Sequence, residues 1–204
     1  MIKNIIFDFG SCLIDFNDDA LLEKAGVSNE EDRTLLKREV IANKEWIRAD
    51  RGLIDEEQLY QGVIERIPER LWDAAHALVF DWENYFEIVD GMLEFVEEMS
   101  SKGYHLFLLS NASKRLRTQC WPNYPYSKYI KDLVISAEIK MLKPHYEIFN
   151  YLLDKYELNA DECVFIDDVT LNVEASEYLG MHGIVFHQDA EELRNRFNEI
   201  INEK

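Results

Sequence analysis

Positive charge is scarce in this sequence: 22 Lys and Arg stand against 40 Asp and Glu, for a formal net charge of −18. A field this negative repels polyphosphate backbones and anionic lipid, so neither nucleic acid nor a membrane surface is an expected partner. Cysteine is scarce too. Cys12, Cys120 and Cys163 are odd in number and widely spaced, which fits neither a disulfide framework nor a zinc cluster, so reduced, buried thiols are expected. No apolar run approaches the roughly 18 residues of a membrane span, and the N-terminus lacks a signal-peptide layout, which points to the cytoplasm. With four prolines and 47% hydrophobic residues, disordered and collagen-like classes are excluded. What remains is an acidic folded protein of 204 residues, sized for one compact domain or for one domain carrying an insertion. The sequence does not specify an oligomeric state.

Lys3-Asn4-Ile5-Ile6-Phe7-Asp8 is a short apolar run cut off by an acid, as expected of a strand buried on both faces. Similar runs occur at 104–111, 162–168 and 183–187, with a shorter one at Leu133-Val134-Ile135-Ser136. Helical periodicity lies between them, from Ile88 to Ser101, from Tyr146 to Tyr156, around Leu171 to Leu179 ahead of Gly180, and in a last helix with Leu193, Phe197, Ile200 and Ile201. Alternating strands and helices predict a Rossmann-like α/β core, a parallel sheet with helices on both faces.

One interval is too long. A βαβ unit takes about 30 residues, yet Asp8 and Leu106 are 98 positions apart. The excess is helical in pattern, with Leu35, Leu36, Val40, Ile41, Trp46 and Ile47, then Leu59, Val63, Ile64 and Ile67. Arg51-Gly52-Leu53-Ile54-Asp55 interrupts it, with Asp55 placed to cap the next helix. The expected organisation is a core of residues 1–16 and 88–204 with a helical insertion over 17–87.

In open parallel sheets ligands bind at the carboxyl ends of the strands. Asp8, Ser110-Asn111 and Asp167-Asp168 end the first, second and fourth of the five runs in chain order, and Lys143-Pro144 lies in a loop before a helix. Three carboxylates in a partly dry site need compensation. Lys143 and a divalent cation supply it, and few hard oxygen ligands with room for water describe Mg2+. Such a site suits a phosphoryl group, with Lys143 and the metal neutralising its oxygens, Ser110 and the Asn111 backbone N–H donating to them, and Asp8 attacking in line to form an aspartyl phosphate.

Asp8, Ser110, Lys143 and Asp167-Asp168, in this order, resemble the haloacid dehalogenase superfamily of phosphatases. Phe7-Asp8-Phe9-Gly10 looks like its motif I, Leu109-Ser110-Asn111 like motif II, Lys143-Pro144 like motif III and Phe165-Ile166-Asp167-Asp168 with Asn172 like motif IV. The insertion looks like its C1 cap. The stretch from Leu109 through Trp121-Pro122 and Tyr124-Pro125 to Lys143-Pro144 looks similar to the α-D-glucose 1-phosphate phosphatase branch. The resemblance implies Asp8 as nucleophile and metal ligand, the backbone carbonyl of Gly10 and the carboxylate of Asp168 as further ligands, and Asp167 as an outer partner of metal-bound water. The implied substrate is a small phosphorylated metabolite, a sugar phosphate such as glucose 1-phosphate.

The chain departs from the family at Gly10, where the usual residue is a second Asp acting as general acid and base. That function is typically worth about 10²- to 10⁴-fold. Either another group such as Asp15, Cys12 or an acid of the insertion replaces it, or the leaving group is an easy one, or turnover is slow. Gly10 also admits a C–halogen hydrolase of the same superfamily and a non-catalytic regulatory or binding protein. The acid pair at Asp167-Asp168 argues for a metal, which a C–halogen hydrolase does not need.

Overall fold

The five apolar runs become five strands, β1 (Asn4–Phe7), β2 (His105–Ser110), β3 (Asp132–Ile135), β4 (Cys163–Asp167) and β5 (His182–Val185). The computed structural model describes residues 1–82 and 85–202. Positions 83 and 84 of the expected insertion, and 203 and 204 of the expected core, lie outside the described residues. All pairings are parallel, in the order β3-β2-β1-β4-β5. Alternate side chains leave opposite faces of the sheet, and both faces are buried. Ile5, Phe7, Leu106, Leu108, Val164 and Ile166 enter one core, while Ile6, Phe107, Leu109, Val134, Cys163 and Phe165 enter the other. Uninterrupted apolar runs with no polar alternation are the consequence.

Among the described residues, five α-helices lie between β1 and the core's next helix: α1 (Asp18–Lys24), α2 (Glu30–Leu36), α3 (Lys44–Asp50), α4 (Glu56–Ile64) and α5 (Trp72–Phe80). A π-helical turn, Lys37–Ile41, continues α2. The rest of the chain adds α6 (Met92–Ser101), the single turn α7 (Ser136–Ile139), α8 (Tyr146–Tyr156), α9 (Thr170–Tyr178) and α10 (Ala190–Asn202). Phe95 of α6 and Phe197 of α10 pack on the first face, and Ile148, Phe149 and Leu152 of α8 with Val173 of α9 cover the second. Among the described residues no helix is long and apolar enough to cross a membrane. The three cysteines are buried, and among the described residues none is in a disulfide.

The helix expected from Ile88 begins at Met92 instead. Ile88 bridges Ile14 antiparallel, and the Val89 N–H donates to the Leu13 carbonyl at 3.1 Å, so this stretch is extended. Gly91, in the left-handed region at φ 75°, then turns the chain into the helix. The Asp15 N–H donates to Glu87 O at 2.8 Å, and the Phe16 and Phe86 rings lie 4.6 Å apart. The two ends of the helical excursion are thus clasped side by side next to Asp8.

The interrupted stretch behaves as its sequence indicates. Asp55 caps α4 reciprocally with Gln58, its carboxylate accepting the Gln58 N–H at 2.8 Å while the Gln58 side chain accepts the Asp55 N–H at 3.1 Å. Gly52 has φ 66°, and a Cβ there would sit 2.2 Å from the Ala137 carbonyl oxygen. Only glycine lets the end of α3 lie against the backbone of α7. Gly52→Ala is therefore expected to cost at least about 2 kcal/mol, strain and clash together, read from the urea midpoint. Gly26→Ala is the control, since Gly26 has φ 80° and open space around it. An equal loss in both variants would mean that the α3 end is not docked on α7.

Candidate active site

Asp8 follows β1, Ser110 ends β2 and Asp167 ends β4, so the sheet alone brings them to one edge. Lys143 reaches that edge from the loop before α8. The loop is held by Asn111, whose side-chain carbonyl accepts the Lys143 N–H at 2.9 Å and whose amide donates to the Lys143 carbonyl at 3.0 Å. Lys143 is 5% exposed, and its ammonium donates to Asp8 Oδ1 and Asp167 Oδ2, both at 2.6 Å. An ammonium has three donors. Two are spent on these carboxylates.

Asp167 is fully buried, and its two oxygens are engaged within the protein. Besides Lys143 it accepts the Asn172 side-chain amide at 3.0 Å on both oxygens and the Val169 N–H at 2.8 Å. The expected outer partner of metal-bound water is therefore, in this geometry, the anchor of Lys143. The reason is local: the turn into α9 points a backbone N–H and the Asn172 amide at the carboxylate. Asp168, half-buried, faces Asp8 instead. Ligand atoms of Asp8, Asp168 and Cys12 all lie within 4.8 Å of one another.

Burial pushes the Asp8 carboxyl up, Lys143 opposes it, and Asp167 adds to the rise. Asp168 is raised by burial and then by Asp167. Lys143 is raised as well: burial works against its charge, but the two carboxylates outweigh it. The Cys12 thiol is pushed well above its ordinary value by burial, then by Asp8, Asp167 and Asp168. A neutral thiol is a poor partner for a hard cation, so the pair Asp8 and Asp168 forms the cation-seeking part of the cluster. Hard oxygen donors in surplus negative charge fit a divalent cation such as Mg2+.

Beside this cluster lies a cavity of about 80 Å³, lined from the core by Gly10, Ser110 and Asn111 and from the helical segment by Trp46, Asp50 and Glu56. A Cβ on Gly10 would meet nothing nearer than Phe16 Cβ at 4.0 Å, so backbone packing does not demand glycine there. Asp15 is exposed and accepts from Gln188, and Cys12 does not line the cavity. Trp121, Tyr124 and Tyr126 are buried packing groups: Phe9 meets the first two edge-on, and the Tyr126 hydroxyl donates to Leu13 O at 2.9 Å. Arg51 donates to the Lys140 carbonyl at 3.4 Å. Sequence reasoning did not single out Asp50 or Glu56. Their only signal is position, one on each side of the Gly52 break.

The chain matches the haloacid dehalogenase-like hydrolase family over residues 5–186 and belongs to it. It is 26% identical to a D-ribitol-5-phosphate phosphatase of Bacteroides thetaiotaomicron over 190 residues, 88% of this chain and 89% of that protein. A haloacid dehalogenase family enzyme from the same organism, solved with magnesium and inorganic phosphate, superposes with a TM-score of 0.72 at 22% identity, covering 95% of this chain and 99% of that one. The L-2-haloacid dehalogenase of Xanthobacter autotrophicus, with chloropropionic acid covalently bound, shares the fold at a TM-score of 0.68 and 14% identity, covering 100% of this chain and 84% of that one.

Proposed function

We propose that this hydrolase is a Mg2+-dependent phosphatase of a small phosphomonoester, a sugar or alditol phosphate such as glucose 1-phosphate. The observation that carries the reading is the Lys143 ammonium, held at 2.6 Å from Asp8, beside an Asp8–Asp168 carboxylate pair and next to a cavity of about 80 Å³. A C–halogen hydrolase needs no metal, so a second carboxylate beside Asp8 favours the phosphatase. The phosphatase relative and the magnesium-and-phosphate complex of a family member also favour phosphoryl transfer.

In this reading Asp8 is the nucleophile, attacking phosphorus to form an aspartyl phosphate that water then hydrolyses. The remaining Lys143 donor and the Ser110 hydroxyl hold phosphoryl oxygens, and the Asn111 side chain keeps the Lys143 loop in register. Asp8, Asp168 and the Gly10 carbonyl would hold Mg2+, which supplies charge neutralisation for the transferring group. Residues 17–87 serve as a helical cap over the core of 1–16 and 88–204, with the Leu13–Asp15 and Glu87–Val89 connectors as its hinge. Glu56 brings further negative charge to the cavity, so substrates with one phosphate and neutral hydroxyls are preferred over polyanions.

Phosphate release from sugar and alditol phosphates and from one aryl phosphate, with Mg2+ and with excess chelator, tests this. The expected result is release that chelator abolishes and Mg2+ restores, ranked by leaving group. Chelator-insensitive halide release from 2-haloacids, with no phosphate release, would establish the dehalogenase instead. No release of either would favour a binding protein.

A further inference from the structure

Among the described residues, the core around the cavity offers no acidic proton donor. Gly10 has no side chain, Lys143 is committed to two carboxylates, and the Cys12 thiol is fully buried outside the cavity. The leaving oxygen of a phosphomonoester needs a proton, and among the described residues the carboxyls lining the cavity are Asp50, the last residue of α3, and Glu56, the first of α4.

Asp50 is held in place with unusual care for the end of a seven-residue helix. Its backbone carbonyl accepts the Ser136 hydroxyl, Arg51 donates to Lys140 O, and Gly52 lies against Ala137 O. All three attachments are to the core, on or beside α7. Its carboxyl, by contrast, has no hydrogen bond or ion pair among the described residues. Glu56 Oε1 and Ser113 Oγ, also on the cavity wall, are buried without a partner among the described residues. Burying such groups unpaired is costly, and a docked substrate with hydroxyls would relieve it.

We infer that Asp50 is the general acid and base of this phosphatase, delivered from the helical segment into the space that Gly10 leaves open; the inference rests on the phosphatase reading above. In the first step the Asp8 Oδ–phosphorus bond forms as the bond from phosphorus to the leaving oxygen breaks. The electron pair stays on that oxygen, which takes the Asp50 proton and departs as a neutral alcohol. In the second step the Asp50 carboxylate takes a proton from the attacking water as the new oxygen–phosphorus bond forms and the aspartyl phosphate bond breaks. Asp8 is regenerated, phosphate leaves, and Asp50 is protonated again.

Electrostatics agree with this geometry. Burial, then Glu56 from α4, then Asp8 just after β1 push the Asp50 carboxyl well above its ordinary value. No cation from α7 or from the 37–41 turn offsets them. The acid form therefore persists to higher pH than in an exposed aspartate, and kcat/KM should fall as pH rises through the Asp50 pKa.

The experiment compares wild type, Asp50→Asn and Glu56→Gln with Mg2+ on aryl phosphates of graded leaving-group acidity and on one primary alkyl phosphate. General acid catalysis is worth about 10²- to 10⁴-fold, so Asp50→Asn should lose about 10²-fold or more on the alkyl phosphate. On 4-nitrophenyl phosphate, whose leaving group needs little protonation, the loss should be below about tenfold. Glu56→Gln removes a neighbouring negative charge and should move the basic limb of the pH profile to lower pH. These losses are read in kcat/KM, which reports the first step alone; an equal loss of kcat/KM on all substrates for Asp50→Asn, or no loss, would overturn the inference while leaving the phosphatase reading intact. A wild type inactive on every phosphate would overturn both. Should Asp50→Asn fail to fold, an unmoved limb in Glu56→Gln overturns the inference.

Discussion

Asp8→Asn is expected to abolish turnover, with a loss on the order of 10⁴-fold or more, as for removal of other enzymatic nucleophiles. The amide keeps the shape of the side chain and its carbonyl can still accept from Lys143, but it cannot form the acyl phosphate. The fold should survive. Asp8, Asp167 and Asp168 together outnumber their one cation, Lys143, so deleting one negative charge relieves repulsion. A melting temperature equal to or above that of wild type in chelator is the expected companion result. Phosphate release near the wild-type rate would remove Asp8 from the nucleophile role.

Lys143→Met has the largest expected effect on stability. Methionine fills similar volume, but it leaves Asp8 and Asp167 buried against each other with no cation between them. Breaking a buried ion pair from one side typically costs about 3–5 kcal/mol. The sign of the pH dependence follows from linkage. Lys143 is the principal influence lowering the Asp8 carboxyl, so its loss drives Asp8 further above the ordinary value of 3.8. A carboxyl raised in the folded state binds more protons there than in the unfolded chain, so its contribution to stability falls as pH rises above 3.8. The deficit of Lys143→Met should therefore narrow as pH falls from 8 towards 5. Urea midpoints at several pH values measure it, and a deficit that widens with acid would mean that the pair is not the source. Activity should be lost at every pH, because the cation facing the phosphoryl group is gone.

Much of this arrangement is legible in the residues. Runs such as Ile5-Ile6-Phe7 and Val164-Phe165-Ile166 are apolar at every position because both faces of a parallel sheet are covered, and an acid at the end of each marks the open edge. The Gly52 break and the Asp55 cap are equally local. The start of α6 was not legible, since Ile88 and Val89 continue the apolar periodicity of the helix and only their pairing with Leu13 and Ile14 holds them extended. The aromatic residues from Trp121 to Tyr126 suit packing and a substrate mouth equally well by composition. Phe9 and Leu13, more than a hundred positions earlier, make them core.

The order of elements, the parallel sheet and the arrival of Asp8, Ser110, Lys143 and Asp167-Asp168 at one edge were determined by the chain alone, because strand ends and helix periods are short-range patterns. Division of labour among the carboxylates was decided only by tertiary structure. Lys143 meets Asp8 across 135 positions and Asp167 across 24. Asp167 turns to Lys143 and Asn172 while its neighbour Asp168 turns to Asp8. Asp50 acquires a place beside the cavity because a glycine two residues on lets its helix end touch α7. Which oxygen meets which donor depends on separations of a few tenths of an ångström between elements distant in the chain, and residue types and spacings do not encode them.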